Sequence, residues 1–293
     1  MTKSFPSDIP SYFADAEASL SDSELVLFGV TFDKTASFRS GARFGPESIR
    51  KASWNFESYN FHTNVDLQNH HIHDYGNLDI NNDMSSSTMI KQVQQFSTSL
   101  IEKRKKPILI GGEHSITAGV VQALPKDTCV LCLDAHADYR ETYQRQRYNH
   151  ACTLKRITDH VGSDHVFLCG LRSAGKQEYN KMIQQNIPIS DVYSFYEKGK
   201  KHVIKDIKSK FKHELVYITI DVDVFDPSFA PGTGTLEPFG LYPLDVLSII
   251  DTISDQIIGF DLMEVNPLFD YGQTSFLAAK IIRHTMERLL KND

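Results

Sequence analysis

Three short motifs, far apart in the chain, hold the side chains best able to do chemistry together: Gly-Gly-Glu-His at 111–114, Asp-Ala-His-Ala-Asp at 134–138 and Asp-Val-Asp-Val-Phe-Asp-Pro at 221–227. The side chains of interest are His114, Asp134, His136, Asp138, Asp221 and Asp223. Residues at i, i+2 and i+4 of an extended segment point to one side. Asp134, His136 and Asp138 therefore present two carboxylates and an imidazole together, and Asp221 and Asp223 do likewise. Any one of these aspartates is explained as a turn former or helix cap, but the whole set is not. Carboxylates gathered in one cleft repel one another and raise each other's pKa unless cations neutralise them; two divalent metals are the simplest remedy. An oxygen-rich set with imidazoles and no thiolate favours Mn²⁺ over zinc. Such a pair sits ~3.5–4 Å apart and lowers the pKa of a shared water from ~15.7 towards ~7, which supplies hydroxide at neutral pH.

Each motif follows an apolar, β-prone run: Pro107–Ile110, Cys129–Leu133 and Leu215–Ile220. In an open parallel sheet the carboxyl ends of the strands converge on one rim, where ligands bind, so the three motifs meet in one cleft. Strand-like runs at 25–30, 107–110, 129–133, 166–170, 215–220 and 257–262 alternate with helical stretches at 87–105, 115–124, 151–161, 200–212, 243–254 and 275–291. That is the order of βαβ units in an α/β protein. Pro46 and Glu47 after Gly45 open a further helix over 46–53. With 293 residues, 41% of them hydrophobic, and no linker or repeat, residues 1–293 are expected to form a single domain.

The net charge of −6 argues against a basic nucleic-acid surface. The residues 1–8 lack the apolar core of a signal peptide, and no apolar stretch of about 18 residues could span a membrane. A cytoplasmic protein with neither nucleic-acid nor membrane partners is expected. The four cysteines are too few for a disulfide framework. Cys129 and Cys132 mimic a zinc or redox pair, yet positions three apart in a strand face opposite sides of a sheet. His62, His70, His71 and His73 lie among Asn, Gln and Asp and read as a solvated connection.

The motifs resemble those of the ureohydrolases, the family of arginases, agmatinases and related guanidino-group hydrolases. The segment 29–46, Gly-Val-Thr-Phe-Asp-Lys-Thr-Ala-Ser-Phe-Arg-Ser-Gly-Ala-Arg-Phe-Gly-Pro, resembles the family's first strand and loop; 260–267 and 274–280 resemble its last strand and final helix. Only 1–20 and 180–213 look unmatched. The resemblance implies a three-layer α/β/α fold with an eight-stranded, mainly parallel sheet, two Mn²⁺ per chain, and a homo-trimer or homo-hexamer. It gives the first metal to His114, Asp134, Asp138 and Asp221, and the second to Asp134, His136, Asp221 and Asp223. Asp138 also matches the family's proton acceptor, His150 a loop histidine that exchanges protons with solvent, Glu264 the carboxylate that holds the guanidinium, and Thr235 a hydroxyl beside the substrate.

A guanidinium stays protonated at any physiological pH, so its carbon needs a strong nucleophile and its amine leaving group needs a proton. Arginases carry an Asn near the position of Arg140 and acidic residues after Gly-Leu-Arg, where this chain has Ser-Ala-Gly at 173–175. The segments 138–143 and 149–151, and Glu237 with Pro238, resemble agmatinases instead. A small cationic guanidino substrate, agmatine, is therefore expected, with Glu237 as the acidic candidate for its ammonium. Tyr139 and Phe239 replace smaller residues and are expected to bear on the outer pocket, and Arg140 must be paired or turned away. A guanidino-acid hydrolase, in which Arg140 meets a carboxylate, and an arginase are the alternatives. A non-catalytic homologue is disfavoured because every ligand is present, and a phosphatase because no Gly-rich phosphate loop with Lys is.

Overall fold

A computed structural model of the chain describes residues 9–290, so the expectation about residues 1–8 and the end of the last helix at 291 lie outside the described residues. The strands in chain order are β1 (Leu25–Gly29), β2 (Tyr59–Asn60), β3 (Val65–Asp66), β4 (Ile72–Asn77), β5 (Lys106–Ile110), β6 (Cys129–Leu133), β7 (Val166–Leu171), β8 (Ile189–Asp191), β9 (Val216–Asp221) and β10 (Ile257–Met263). Among the described residues β2 and β3 form an antiparallel pair, and the others form one eight-stranded sheet in the order β4-β1-β5-β10-β9-β6-β7-β8. Every pairing in it is parallel.

The helices are α1 (Gly45–Ser53), α2 (Ser86–Glu102), α3 (Thr117–Val121), α4 (Thr153–Val161), α5 (Lys176–Gln184), α6 (Val192–Lys198), α7 (Lys200–Lys210), α8 (Pro243–Thr252) and α9 (Gln273–Leu290). They cover both faces of the sheet, which is why its strands are continuous apolar runs rather than alternating ones. In β6, Cys129, Leu131 and Leu133 pack with residues of α1 and α6–α9, while Val130 and Cys132 pack with residues of α2–α5. Cys129 and Cys132 thus face opposite cores, and all four cysteines are free and buried. Among the described residues no helix is long and apolar enough to cross a membrane.

Register explains the convergence of the motifs. In the four adjacent central strands β5, β10, β9 and β6, Ile110 lies opposite Leu262, Met263 opposite Asp221, and Leu133 opposite Ile220. The strands end at one level, so His114, Glu264, Asp221 and Asp134 all leave the sheet at the same rim.

Of the four histidines read as a solvated connection, His62 and His71 are exposed outside the strands, but His73 belongs to a strand instead. Residues 72–77 form β4 at the sheet edge, and His73 Nδ1–H donates to the Ala18 carbonyl oxygen at 2.7 Å. An edge strand has one neighbour and one wet side, so it does not read as an apolar run. Asp74, one of its polar residues, is buried against Arg50, whose Nε and Nη2 donate to the carboxylate at 2.7 and 2.8 Å. None of His62, His70, His71 and His73 belongs to a metal-capable cluster among the described residues. The short strand β8 and the helices α5 and α6 also escaped the periodicity, because they lie in the polar stretch 176–198.

Candidate metal centre and catalytic cleft

Six side chains from three strand ends meet at the rim. His114 Nδ1 lies 3.1 Å from Asp134 Oδ2, 3.2 Å from Asp221 Oδ2 and 3.8 Å from Asp138 Oδ2. His136 Nδ1 lies 2.9 Å from Asp223 Oδ2 and 3.8 Å from Asp134 Oδ1. Two triads, His114 with Asp134 and Asp221 and Asp134 with His136 and Asp223, each bring their ligand atoms within 4.8 Å of one another.

The proton count on His114 tests whether the set fits a cation. The Thr219 hydroxyl donates to Asp261 Oδ1 at 2.6 Å, and a hydroxyl has one proton. Thr219 Oγ1 therefore accepts from His114 Nε2–H at 2.8 Å. Nδ1 is then the ring atom aimed at the Asp134 and Asp221 carboxylates, 3.1 and 3.2 Å away, where its lone pair is placed to join them on a cation. The imidazole is oriented from behind as metal sites require.

The titration directions agree. Burial and then the nearby Asp134 push the Asp138 carboxyl well above its ordinary range, and burial and then Asp223 raise Asp221 to about 8. Burial opposes charge on His114, yet Asp134 and Asp221 raise its imidazole well above the usual value. Burial also works to raise Asp223, but the adjacent His136 outweighs it and holds that carboxyl low. Bound cations reverse such directions, because the ion is the largest local charge.

Two of the site carboxylates sit on left-handed backbone, Asp138 with φ 44° and Glu264 with φ 64°. Non-glycine residues hold this conformation only where the surroundings over-determine it, commonly at functional sites. Glu264, half-buried, follows β10; its Oε1 accepts the His114 backbone N–H at 2.8 Å, and loss of solvent contact followed by Asp221 pushes its carboxyl well above the ordinary range.

Part of the cluster opens to a cavity of about 390 Å³, lined by His136, Asp138, Asp221 and Asp223 together with Glu264 and Thr235. His150, in the turn before α4, lines a wall. Its ring nitrogens lie 3.2 Å from Thr35 Oγ1 and 3.3 Å from Ser37 Oγ, and burial pushes it down to about 4.

The outer pocket departs from the expectations in three places. Glu237 does not line the cavity; its Oε1 lies 3.5 Å from His136 Nε2. The reason is Arg172, whose Nη2 donates to the Asp223 carbonyl at 2.6 Å and the Glu237 carbonyl at 2.7 Å, and so draws the 237 loop onto the Asp223 turn. Tyr139 is 1% exposed and points into the core, where its hydroxyl reaches Gln185 and Thr158, so it does not shape the pocket. Phe239 is 71% exposed with φ 69°, on a surface patch beside Tyr196, Phe229 and Tyr242 and outside the cleft.

Arg140 does line the cavity, and it is paired. Its Nε lies 3.2 Å from Glu178 Oε2, and its guanidinium stacks 4.6 Å over the Tyr143 ring. Glu178, only 8% exposed, also accepts the backbone N–H groups of Tyr139 and Gly175 at 3.0 and 3.1 Å. Sequence reasoning gave no role to Glu178, nor to Thr35, Ser37 or Arg39. Glu178 stands three residues into α5, a first-turn acid after Gly175, and that spacing was the available signal.

Fold and cleft define an α/β/α protein with a histidine–carboxylate centre at the carboxyl rim of its sheet. A family model described as the arginase family matches residues 23–287. The agmatinase of Bacillus anthracis is 32% identical over 285 residues, 94% of each chain. The N(1)-aminopropylagmatine ureohydrolase of Thermococcus kodakarensis is 36% identical over 275 residues, 91% of each chain. The crystal structure of the agmatine ureohydrolase of Thermoplasma volcanium superposes with a TM-score of 0.91 at 35% identity, covering 96% of this chain and 95% of that one. The chain belongs to the arginase family, and within it to the ureohydrolase enzymes.

Proposed function

We propose that the enzyme is an agmatinase, which hydrolyses agmatine to putrescine and urea in the cytoplasm. Two Mn²⁺ would be held as the donor set suggests, one by His114, Asp134, Asp138 and Asp221 and one by Asp134, His136, Asp221 and Asp223. When bound, such a pair supplies a hydroxide at neutral pH and a concentrated positive charge. Glu264, beside the cluster and lining the cleft, is suited to hold the guanidinium, with Thr235 as a neighbouring hydroxyl. The Asp138 carboxylate takes up the proton of the attacking water and returns it to the departing amine, and His150 exchanges protons with solvent.

The observation that carries the cationic head group is the Arg140–Glu178 pair, which neutralises the cation the sequence placed at the cleft mouth. A guanidino acid is the second reading, and Arg39 is what favours it. Arg39 lines the cleft, stacks 4.8 Å over Phe269, and has no carboxylate partner among the described residues. The deciding experiment is a urea-release screen with Mn²⁺ present, using agmatine, N(1)-aminopropylagmatine, 4-guanidinobutyrate and arginine. Leaving a buried charge without its partner costs ~3–5 kcal/mol. We therefore expect agmatine to exceed 4-guanidinobutyrate in kcat/KM by at least about a hundredfold. Equal or faster turnover of 4-guanidinobutyrate would reject the agmatinase reading and leave the ureohydrolase class standing. Preference for N(1)-aminopropylagmatine would keep the cationic class and lengthen the substrate.

The family resemblance also leads us to propose a homo-trimer or homo-hexamer. Light scattering is expected to return one of these masses, and a monomer at micromolar concentration would rule the assembly out.

A further inference from the structure

We propose that Thr35 is a positioning residue that holds the His150 imidazole at its Nδ1 edge and so leaves Nε2 turned to the cleft as the atom that exchanges protons. The inference rests on His150 as the proton-exchanging residue of the reaction proposed above.

The argument starts from Glu113, a fully buried carboxylate next to the metal-site histidine. Three donors converge on it: the Thr35 backbone N–H at 2.6 Å, the Thr35 hydroxyl at 2.7 Å and the Ser115 hydroxyl. The Thr35 hydroxyl thus joins Glu113 on one side to His150 on the other. The His150 backbone N–H donates to Oγ1 at 3.1 Å, and ring Nδ1 lies 3.2 Å from the same oxygen. One side-chain oxygen therefore holds both the backbone and the inner ring nitrogen of His150.

The remaining contacts agree. Nε2 faces Ser37 Oγ at 3.3 Å, an exposed hydroxyl on the lining of the cleft that is free to donate or to accept as the ring changes protonation. The Tyr143 ring meets the imidazole edge-on at 6.0 Å. The Asn149 side chain accepts the Ala151 N–H at 3.1 Å and fixes the turn that carries His150. Ring and backbone of one loop are thus pinned to a single oxygen of another.

The test is a double-mutant cycle on Mn²⁺-loaded full-length protein, with urea release from the preferred substrate of the screen as one readout and bound metal per chain as the other. Thr35→Val keeps the shape and loses the oxygen; kcat should fall about ten- to a hundredfold, within the range for groups acting in proton transfer, with KM nearly constant and metal content unchanged. Thr35→Ser, which keeps the hydroxyl, should recover most of that loss. In a His150→Ala background Thr35→Val should cost nothing further, because a residue acting only through His150 has nothing left to position. An additive loss in that background, an equal loss in Thr35→Ser, or a drop in bound metal would overturn the inference and leave the proton-exchange reading intact. A His150→Ala protein with normal turnover would overturn both. Should Thr35→Val fail to fold, Thr35→Ala carries the same comparison.

Discussion

Asp223→Ala should lower bound manganese from about two ions per chain to about one, and should reduce urea release by about a thousandfold or more, the several kcal/mol that a metal supplies to developing charge. Asp223 is the only partner within 3 Å of His136 Nδ1 among the described residues, at 2.9 Å; the next carboxylate, Asp134, is 3.8 Å away. Alanine leaves the second set with Asp134, His136 and the shared Asp221, and takes away the carboxylate nearest His136. The other triad, His114 with Asp134 and Asp221, keeps its donors, so one ion should remain.

The same variant separates metal binding from folding. Asp223 is buried beside Asp221, whose carboxyl its charge helps to push up to about 8, so its removal relieves repulsion in the metal-free protein. The substitution also removes the carboxylate 2.9 Å from His136 and the acceptor of the Ala135 N–H at 3.1 Å, so metal-free melting should fall modestly, with the fold retained. Manganese stabilises the native state by mass action, about 2.7 kcal/mol per site at a hundred times the dissociation constant. The wild-type shift in Tm on adding Mn²⁺ should accordingly be larger than that of the variant. Full occupancy with wild-type turnover in Asp223→Ala would sink the ligand assignment; a metal-free protein that no longer folds would show that Asp223 is structural first.

The legibility of this chain in its sequence follows from the physics of each part. β5, β6, β9 and β10 lie in the middle of a sheet covered on both faces, so they are apolar throughout and visible as runs. β4 is an edge strand carrying His73, Asp74 and Asn77, and it looked like a loop for that reason. The metal-capable set was legible because strand ends share a rim, and alternate residues after a strand share a side.

The outer cleft was not legible, because tertiary contacts decide where side chains point there. Tyr139 and Arg140 are neighbours in sequence, yet one enters the core and the other the mouth, where Glu178 from α5 holds it. Glu237 looked like a substrate acid until the Arg172 guanidinium, bound to its backbone carbonyl, set the direction of its loop. Nor could spacing show that Thr35 and His150, 115 residues apart, share one hydroxyl oxygen. Asp261, beneath the site, did carry a visible signal, a carboxylate inside the apolar run of β10, where it accepts from Thr219 at 2.6 Å and Tyr217 at 2.9 Å.

His150→Ala should lower kcat by ~10²–10⁴-fold, the usual range for a general acid–base group, with bound metal unchanged. The second half of that expectation comes from geometry: the ring contacts Thr35, Ser37 and Tyr143, and no carboxylate of the metal-capable cluster lies within ion-pair distance of it. The first half comes from its state of charge. Burial holds the imidazole down at about 4, so at neutral pH it is uncharged and has a lone pair open to a proton. A guanidinium that loses its amine must pass one proton to the leaving group and restore the donor from solvent in each cycle. Asp138 and His150 both line the cleft, and His150 stands beside the exposed Ser37, so it is placed to pass a proton between the cleft and water. Removing it lengthens proton exchange without touching the guanidinium site at Glu264, so KM should stay nearly constant while kcat falls. A variant with wild-type kcat would assign His150 to structure, and a variant that loses both kcat and metal would place its role at the cluster instead.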